Sequence, residues 1–152
     1  MSPPGVYVSS SKFDPAKGFP RRIRERLVER ADGWLPIGIS PDQYERGLAT
    51  VEEVLEAAGR DPSTLDRTFY LDVTVDADEA NAIEEARRFY QRYSPGWSVS
   101  NEDIRQRAAV GPPSSVAERI AAYEDAGVER FVVRFAARDQ RTQVRRFREL
   151  VD

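Results

Sequence analysis

Apolar positions along the chain fall into short runs that alternate with longer amphipathic stretches. Gly5-Val6-Tyr7-Val8 reads as a short strand ending in the polar turn Ser9-Ser10-Ser11. After a loop holding Pro15, Gly18 and Pro20, the spacing of Ile23, Leu27 and Val28 predicts a helix over 21–30. Asp32-Gly33 closes that helix, and Trp34-Leu35-Pro36-Ile37 reads as a short buried strand. Ser40 suits the cap of the next helix and Pro41 its first helical position. Tyr44, Leu48, Val51, Val54, Leu55 and Ala58 form its apolar stripe, and Gly59 gives it a left-handed end. Residues 67–75 are the clearest strand: Phe69, Leu71, Val73 and Val75 point one way, Thr68, Tyr70, Asp72 and Thr74 the other.

Asp76 is expected to cap the following helix, which runs through Ile83, Ala86, Phe89 and Tyr90 until Ser94-Pro95-Gly96 breaks it. Residues 97–109 are irregular, with room for one short helix. Ser115 with Glu118 reads as a capping box for a helix that buries Val116, Ile120 and Tyr123. Glu129 to Phe135 is the last strand, and Asp139 caps a final helix whose Val144, Phe147, Leu150 and Val151 are expected to pack inward. Four strands, each followed by a helix, imply a parallel α/β sheet with right-handed crossovers. Two architectures fit: a small open sheet, or a (β/α)4 half of a TIM-type barrel. A full barrel takes about 250 residues, and this chain has 152, expected to form a single domain over 1–152.

Composition narrows the chemistry. The chain holds no Cys and no His, which excludes disulfides, thiolate nucleophiles, His-based metal sites and Ser-His-Asp hydrolysis. No metal site is expected. Any catalysis must rest on carboxylates, Arg, hydroxyls or a borrowed cofactor. A net charge of -3 gives no push toward nucleic acid or an anionic membrane. No run approaches the roughly 20 apolar residues of a membrane span, and Met1-Ser2-Pro3-Pro4 has no secretory character, so a cytoplasmic location is expected.

Three segments carry a resemblance. They are Ala31-Asp32-Gly33-Trp34-Leu35-Pro36, Ala57-Ala58-Gly59-Arg60-Asp61-Pro62, and the tail from Val110-Gly111-Pro112-Pro113 through Ser115, Glu118 and Ile120 to Ala126-Gly127-Val128 and Phe135. In this order and spacing they resemble the luciferase-like family of flavin-dependent oxidoreductases, which includes bacterial luciferase and the coenzyme F420-dependent reductases. Val6-Tyr7-Val8-Ser9-Ser10 is similar to the strand and phosphate-side turn that precede them in that family. The resemblance implies a TIM-type barrel, FMN or F420 as cofactor, and hydride or monooxygenase chemistry on a small molecule. It matches only the C-terminal half of such a barrel, strands five to eight. Ser9, Ser10 and Ser11 stand where many members have glycines, and hydroxyls there still suit a phosphate.

The expected cofactor contacts are therefore Ser9, Ser10, Ser11 and Arg134. Asp72 and Arg134 sit mid-strand on the face opposite the main apolar set, and neighbouring strands would let them meet. Arg134 is then an anion contact held by Asp72, or the two form a structural ion pair. Trp34 reads as a packing aromatic or a flavin platform, and Trp97 as a lid residue or an exposed contact. Arg141, Arg145, Arg146 and Arg148 read as a solvated helix face. A four-stranded half leaves open edges, so closure by another four strands is expected, from a homodimer or a separately encoded N-terminal half-barrel. The other functional reading is a non-catalytic, self-associating module that retains an anion pocket.

Overall fold

The computed structural model describes residues 5–10 and 17–151. Its strands are β1 (Tyr7–Val8), β2 (Gly33–Trp34), β3 (Asp66–Val75), β4 (Ala108–Gly111) and β5 (Arg130–Phe135). Its helices are α1 (Arg21–Arg30), α2 (Pro41–Ala57), α3 (Glu79–Tyr93), α4 (Asn101–Arg107), α5 (Pro113–Asp125) and α6 (Gln140–Val151). The strands run in the order β1-β2-β3-β4, and β5 pairs with β3. The α/β class and the parallel pairing match the expectation. The chain divides into two compact units, Met1–Tyr70 with Tyr123–Val132, and Leu71–Ala122 with Val133–Asp152.

In the first unit β1 pairs in parallel with β2 (Tyr7↔Gly33, Val8↔Trp34), and β2 with the start of β3 (Gly33↔Asp66, Trp34↔Arg67). A chain of rings fills the core. Trp34 stacks on Tyr44 at 5.0 Å, Tyr44 meets Phe69 edge-on at 5.7 Å, and Phe69 stacks on Tyr123 at 4.3 Å. Gly47 makes this possible, since a Cβ there would lie 2.6 Å from the Trp34 ring. Trp34 is thus a packing residue, fully buried. The Tyr44 hydroxyl is buried with no hydrogen-bond partner among the described residues.

The segment that ends α2 locks α1 in place. Gly59 adopts φ 74°, which reverses the chain. Arg60 then donates from Nη1 to the Leu27 carbonyl (2.8 Å) and from Nη2 to the Ala31 carbonyl (2.5 Å). Those carbonyls end α1 and have no intrahelical partner to accept. Asp61 caps the 3-10 turn that follows, accepting from the Ser63 N–H.

In the second unit the end of β3 pairs in parallel with β4, from Asp72↔Ala108 to Val75↔Gly111. Ile83, Ala86 and Tyr90 of α3 join Val99 and Ile104 in a cluster with Ala108 and Val110 of β4. Gln143 of α6 is buried and treats the end of β3 as a strand neighbour would. Its side-chain oxygen accepts from the Val75 N–H (2.8 Å) and its amide donates to the Val75 carbonyl (3.2 Å). Arg146 adds bonds to the Val75 carbonyl (2.6 Å) and to Asp76 (3.0 Å).

Several expectations are corrected. There are five strands, because Ala108–Gly111 pairs with β3 where an irregular segment was expected. Such a short run of small residues has no alternation to reveal it. Asp78, not Asp76, caps α3, while Asp76 accepts from the Asp78 N–H in the turn before it. Helix α5 begins at Pro113, so Ser115 lies inside its first turn. Val144 and Val151 of α6 face solvent, 43% and 57% exposed, while Phe147 packs edge-on against Phe135 at 5.6 Å.

Two stability measurements follow. Arg60→Ala strips charged donors from the α1 carbonyls and is expected to cost about 1.5–3 kcal/mol, read from the urea midpoint. Tyr44→Phe removes a buried hydroxyl with nothing to bind. It is expected to leave stability unchanged or raise it by about 1 kcal/mol, and a clear loss would reveal a partner for that hydroxyl.

Candidate functional site

The end of β1 is anchored by the core. The Trp34 indole donates to the Ser10 carbonyl at 3.2 Å, and Ser10 is buried. Ser9 remains exposed and lines a groove of about 450 Å³ between β1 and α1, whose walls carry Arg22, Arg26 and Arg30 against the carboxylates Glu25 and Glu29. Ser11 lies outside the described residues. A hydroxyl and a guanidinium on one groove are donors suited to an anion such as a phosphate.

The Asp72–Arg134 pairing occurs. Asp72 accepts from Arg134 Nε at 2.6 Å and Nη2 at 2.8 Å, a two-pronged bond, and also from the Tyr90 hydroxyl at 2.8 Å. The Asp72 side chain is 7% exposed and Arg134 24%. Phe89 and Tyr93 place their ring faces 5.3 Å from the guanidinium. Burial, then the Asp72 charge and hydrogen bond, push the Tyr90 phenol far above its ordinary range. The phenol therefore stays protonated and donates to the carboxylate. A buried carboxylate needs this degree of satisfaction to offset its desolvation, so the geometry supplies everything the structural reading of the pair requires. Trp97 closes on Tyr90 edge-on at 5.4 Å, with Arg107 above its ring at 5.3 Å.

Sequence reasoning missed a third cluster, in the first unit. The Tyr7 hydroxyl donates to Asp66 at 2.5 Å, and Arg130 reaches both the Tyr7 hydroxyl and Asp66 at 3.2 Å. The bond to Asp66 raises the Tyr7 pKa above its ordinary value. The Tyr7 ring crosses Gly33, where a Cβ would lie 2.4 Å from it. Four strands are thus tied at their N-terminal ends. Asp66 and Arg130 are the first residues of their strands, where alternation gives no signal.

The fold and these positions can be set beside known proteins. The profile of the luciferase-like monooxygenase family matches residues 21–130. The chain belongs to that family. Three solved structures share the fold of this luciferase-like chain. An F420-dependent secondary alcohol dehydrogenase, in complex with an F420-acetone adduct, is 17% identical with a TM-score of 0.79, over 98% of this chain and 48% of that one. The coenzyme F420-dependent tetrahydromethanopterin reductase from Methanopyrus kandleri is 19% identical with a TM-score of 0.67, over 97% and 48%. A long-chain alkane monooxygenase is 17% identical with a TM-score of 0.65, over 97% and 40%. This luciferase-like chain therefore spans about half the length of the structures it matches. No curated protein sequence matches it. Among the described residues no helix is long and apolar enough to cross a membrane.

The buried network makes two predictions. Asp72→Asn leaves Arg134 without its counter-charge and should destabilise by about 3–5 kcal/mol, against about 1–3 kcal/mol for Tyr90→Phe. Tyr44 and Tyr90 are both held protonated above their ordinary phenol value, chiefly by burial. Below about pH 10 each is protonated folded or unfolded, so neither gives stability a pH slope; above it the unfolded phenols ionise first and stability falls by up to about 1.4 kcal/mol per pH unit for each. Alkaline titration of tyrosine absorbance should show these two ionising only as the chain unfolds. Early ionisation of Tyr90, identified by its loss in Tyr90→Phe, would contradict the burial argument.

Proposed function

We propose that this chain acts as the C-terminal half of a luciferase-like oxidoreductase, working when a second (β/α)4 half closes the barrel. The observation that carries this reading is the match of 98% of the chain to 48% of an F420-dependent alcohol dehydrogenase. Family membership supports it. So do the strands left with a single partner, since among the described residues β1 pairs only with β2, and β4 and β5 each pair only with β3. The closing half is a second copy or a separately encoded N-terminal half. The substrate is a small molecule and the location cytoplasmic.

The cofactor is FMN or F420. Ser9, with Arg22 on the same groove, offers the donors that a phosphate needs, so the residues present fit the group. Ser10 and Ser11 are proposed as further contacts of the same group. Arg134 is a further proposed anion contact, though Asp72 already takes two of its donors. When bound, such a cofactor supplies hydride transfer and, for a flavin, oxygen chemistry. The residues of this chain bind and orient it.

The second reading is a non-catalytic module that self-associates. The paired charge of Arg134 and the cover of Phe89, Tyr90 and Tyr93 over that network favour it. Fluorescence titration of the whole chain with FMN and with F420, alone and with candidate halves, separates the two. Saturable binding supports the oxidoreductase; self-association with no binding in any pairing supports the module. Ser9→Ala is expected to weaken binding roughly tenfold, the loss of one charge-assisted hydrogen bond. Arg134→Ala should weaken it more than Arg145→Ala, and equal effects would remove Arg134 from the site.

A further inference from the structure

The net charge of -3 conceals an uneven distribution. Helix α1 carries five arginines against two glutamates, a net of +3. Helix α6 carries four arginines against one glutamate, also +3. The helices between them are neutral or acidic: α2 is −4, α3 and α4 are zero and α5 is −2. The positive charge is therefore concentrated on the first and last helices. Helix α1 packs on β1, and α6 meets β5 through Phe147 and Phe135. Among the described residues β1 and β5, like β4, each pair with one other strand. Arg22, Arg26 and Arg30 recur every fourth residue along the groove beside β1. Glu25 and Glu29 lie on the same groove, and Glu25 is held by Arg21 at 2.6 Å, so the arginines outnumber the carboxylates there. On α6, Arg141, Arg145 and Arg148 are exposed on one side together with Val144 and Val151. Two exposed valines among arginines make a surface that is apolar enough to be covered and basic enough to select what covers it.

Resting on the half-barrel reading above, we propose that the closing half is not a second copy of this chain but a different (β/α)4 half whose first and last helices are acidic. In a closed ring the last helix of one half lies beside the first strand and helix of the other. Two-fold pairing of identical copies would set the α6 arginines against the α1 arginines. Symmetry repeats that clash at the second seam. Like charges brought together across an interface select against the wrong partner. An acidic half would meet both arginine rows with opposite charge and cover Val144 and Val151.

The test uses charge reversal in the whole chain, followed by sedimentation equilibrium at micromolar concentration. One variant carries Arg141→Glu, Arg145→Glu and Arg148→Glu, a second carries Arg22→Glu, Arg26→Glu and Arg30→Glu, and a third carries all six. The substituted side chains lie on exposed helix faces, and circular dichroism confirms that each variant folds. At about 20 mM salt the unaltered chain and the six-fold variant should each be monomeric, because each keeps like charges at both seams. Each three-fold variant should self-associate at least tenfold more tightly than the unaltered chain. An equimolar mixture of the unaltered chain and the six-fold variant should form a one-to-one complex that about 500 mM salt loosens. A dimer of the unaltered chain that low salt leaves intact or tightens overturns the acidic-partner proposal while leaving the half-barrel reading in place. If no variant or mixture associates at either salt concentration, the half-barrel reading itself falls.

Discussion

A carboxylate buried in the middle of a strand leaves a fold few choices. Asp72 is 7% exposed, and its charge is compensated by Arg134 through two bonds and by the Tyr90 hydroxyl through a third. Each partner comes from a different element of the second unit, so satisfying one group fixes the placement of β5 and of α3. The rings of Phe89 and Tyr93 then shelter the guanidinium. A pair of this kind contributes little net stability over an apolar substitute, but breaking it is costly. Its effect is to penalise registers in which β5 slides along β3.

The segments that carry the family resemblance have the same character. In Asp32-Gly33-Trp34, Asp32 accepts the Val6 N–H at 2.7 Å, Gly33 leaves room for the Tyr7 ring and Trp34 enters the core. In Gly59-Arg60-Asp61, the glycine turns the chain, the arginine caps α1 and the aspartate caps the next turn. Gly111 adopts φ 119° at the end of β4, a backbone state that side chains rarely allow. These residues lock helices and strands together. They identify a family by its architecture and say little about substrate.

This explains what was legible in the sequence. Alternation over 67–75 revealed β3, and the Ser40-Pro41 start and Gly59 end bounded α2, because each signal is local. The meeting of Asp72 with Arg134 was also legible, since both lie at polar positions of strands expected to be neighbours. The four residues of β4 were not, because their pairing with β3 rather than their own composition makes them a strand. Tyr7, Asp66 and Arg130 were invisible for a related reason: 59 residues separate the first two and 64 the last two, and each residue alone is ordinary. At the proposed cofactor site, Ser9 is expected from the resemblance alone, and the structure shows Arg22, Arg26 and Arg30 together with Glu25 and Glu29 on the same groove.

The chemistry open to this half follows from what its polar groups already do. Asp72 accepts three bonds and Asp66 two, so neither carboxylate stands ready as a free base. The Tyr7 and Tyr90 phenols are both shifted upward, away from neutral pH, and Tyr90 is the more strongly held. With no histidine in the chain, the part proposed for it in an oxidoreductase is that of a binder, through donors for an anion beside β1 and a rigid ion pair between β3 and β5. Under that proposal, proton transfer near neutral pH would fall to the cofactor, the substrate or the closing half. A division of that kind places a premium on pairing the right halves, and surface charge on the end helices acts on that pairing without disturbing either core.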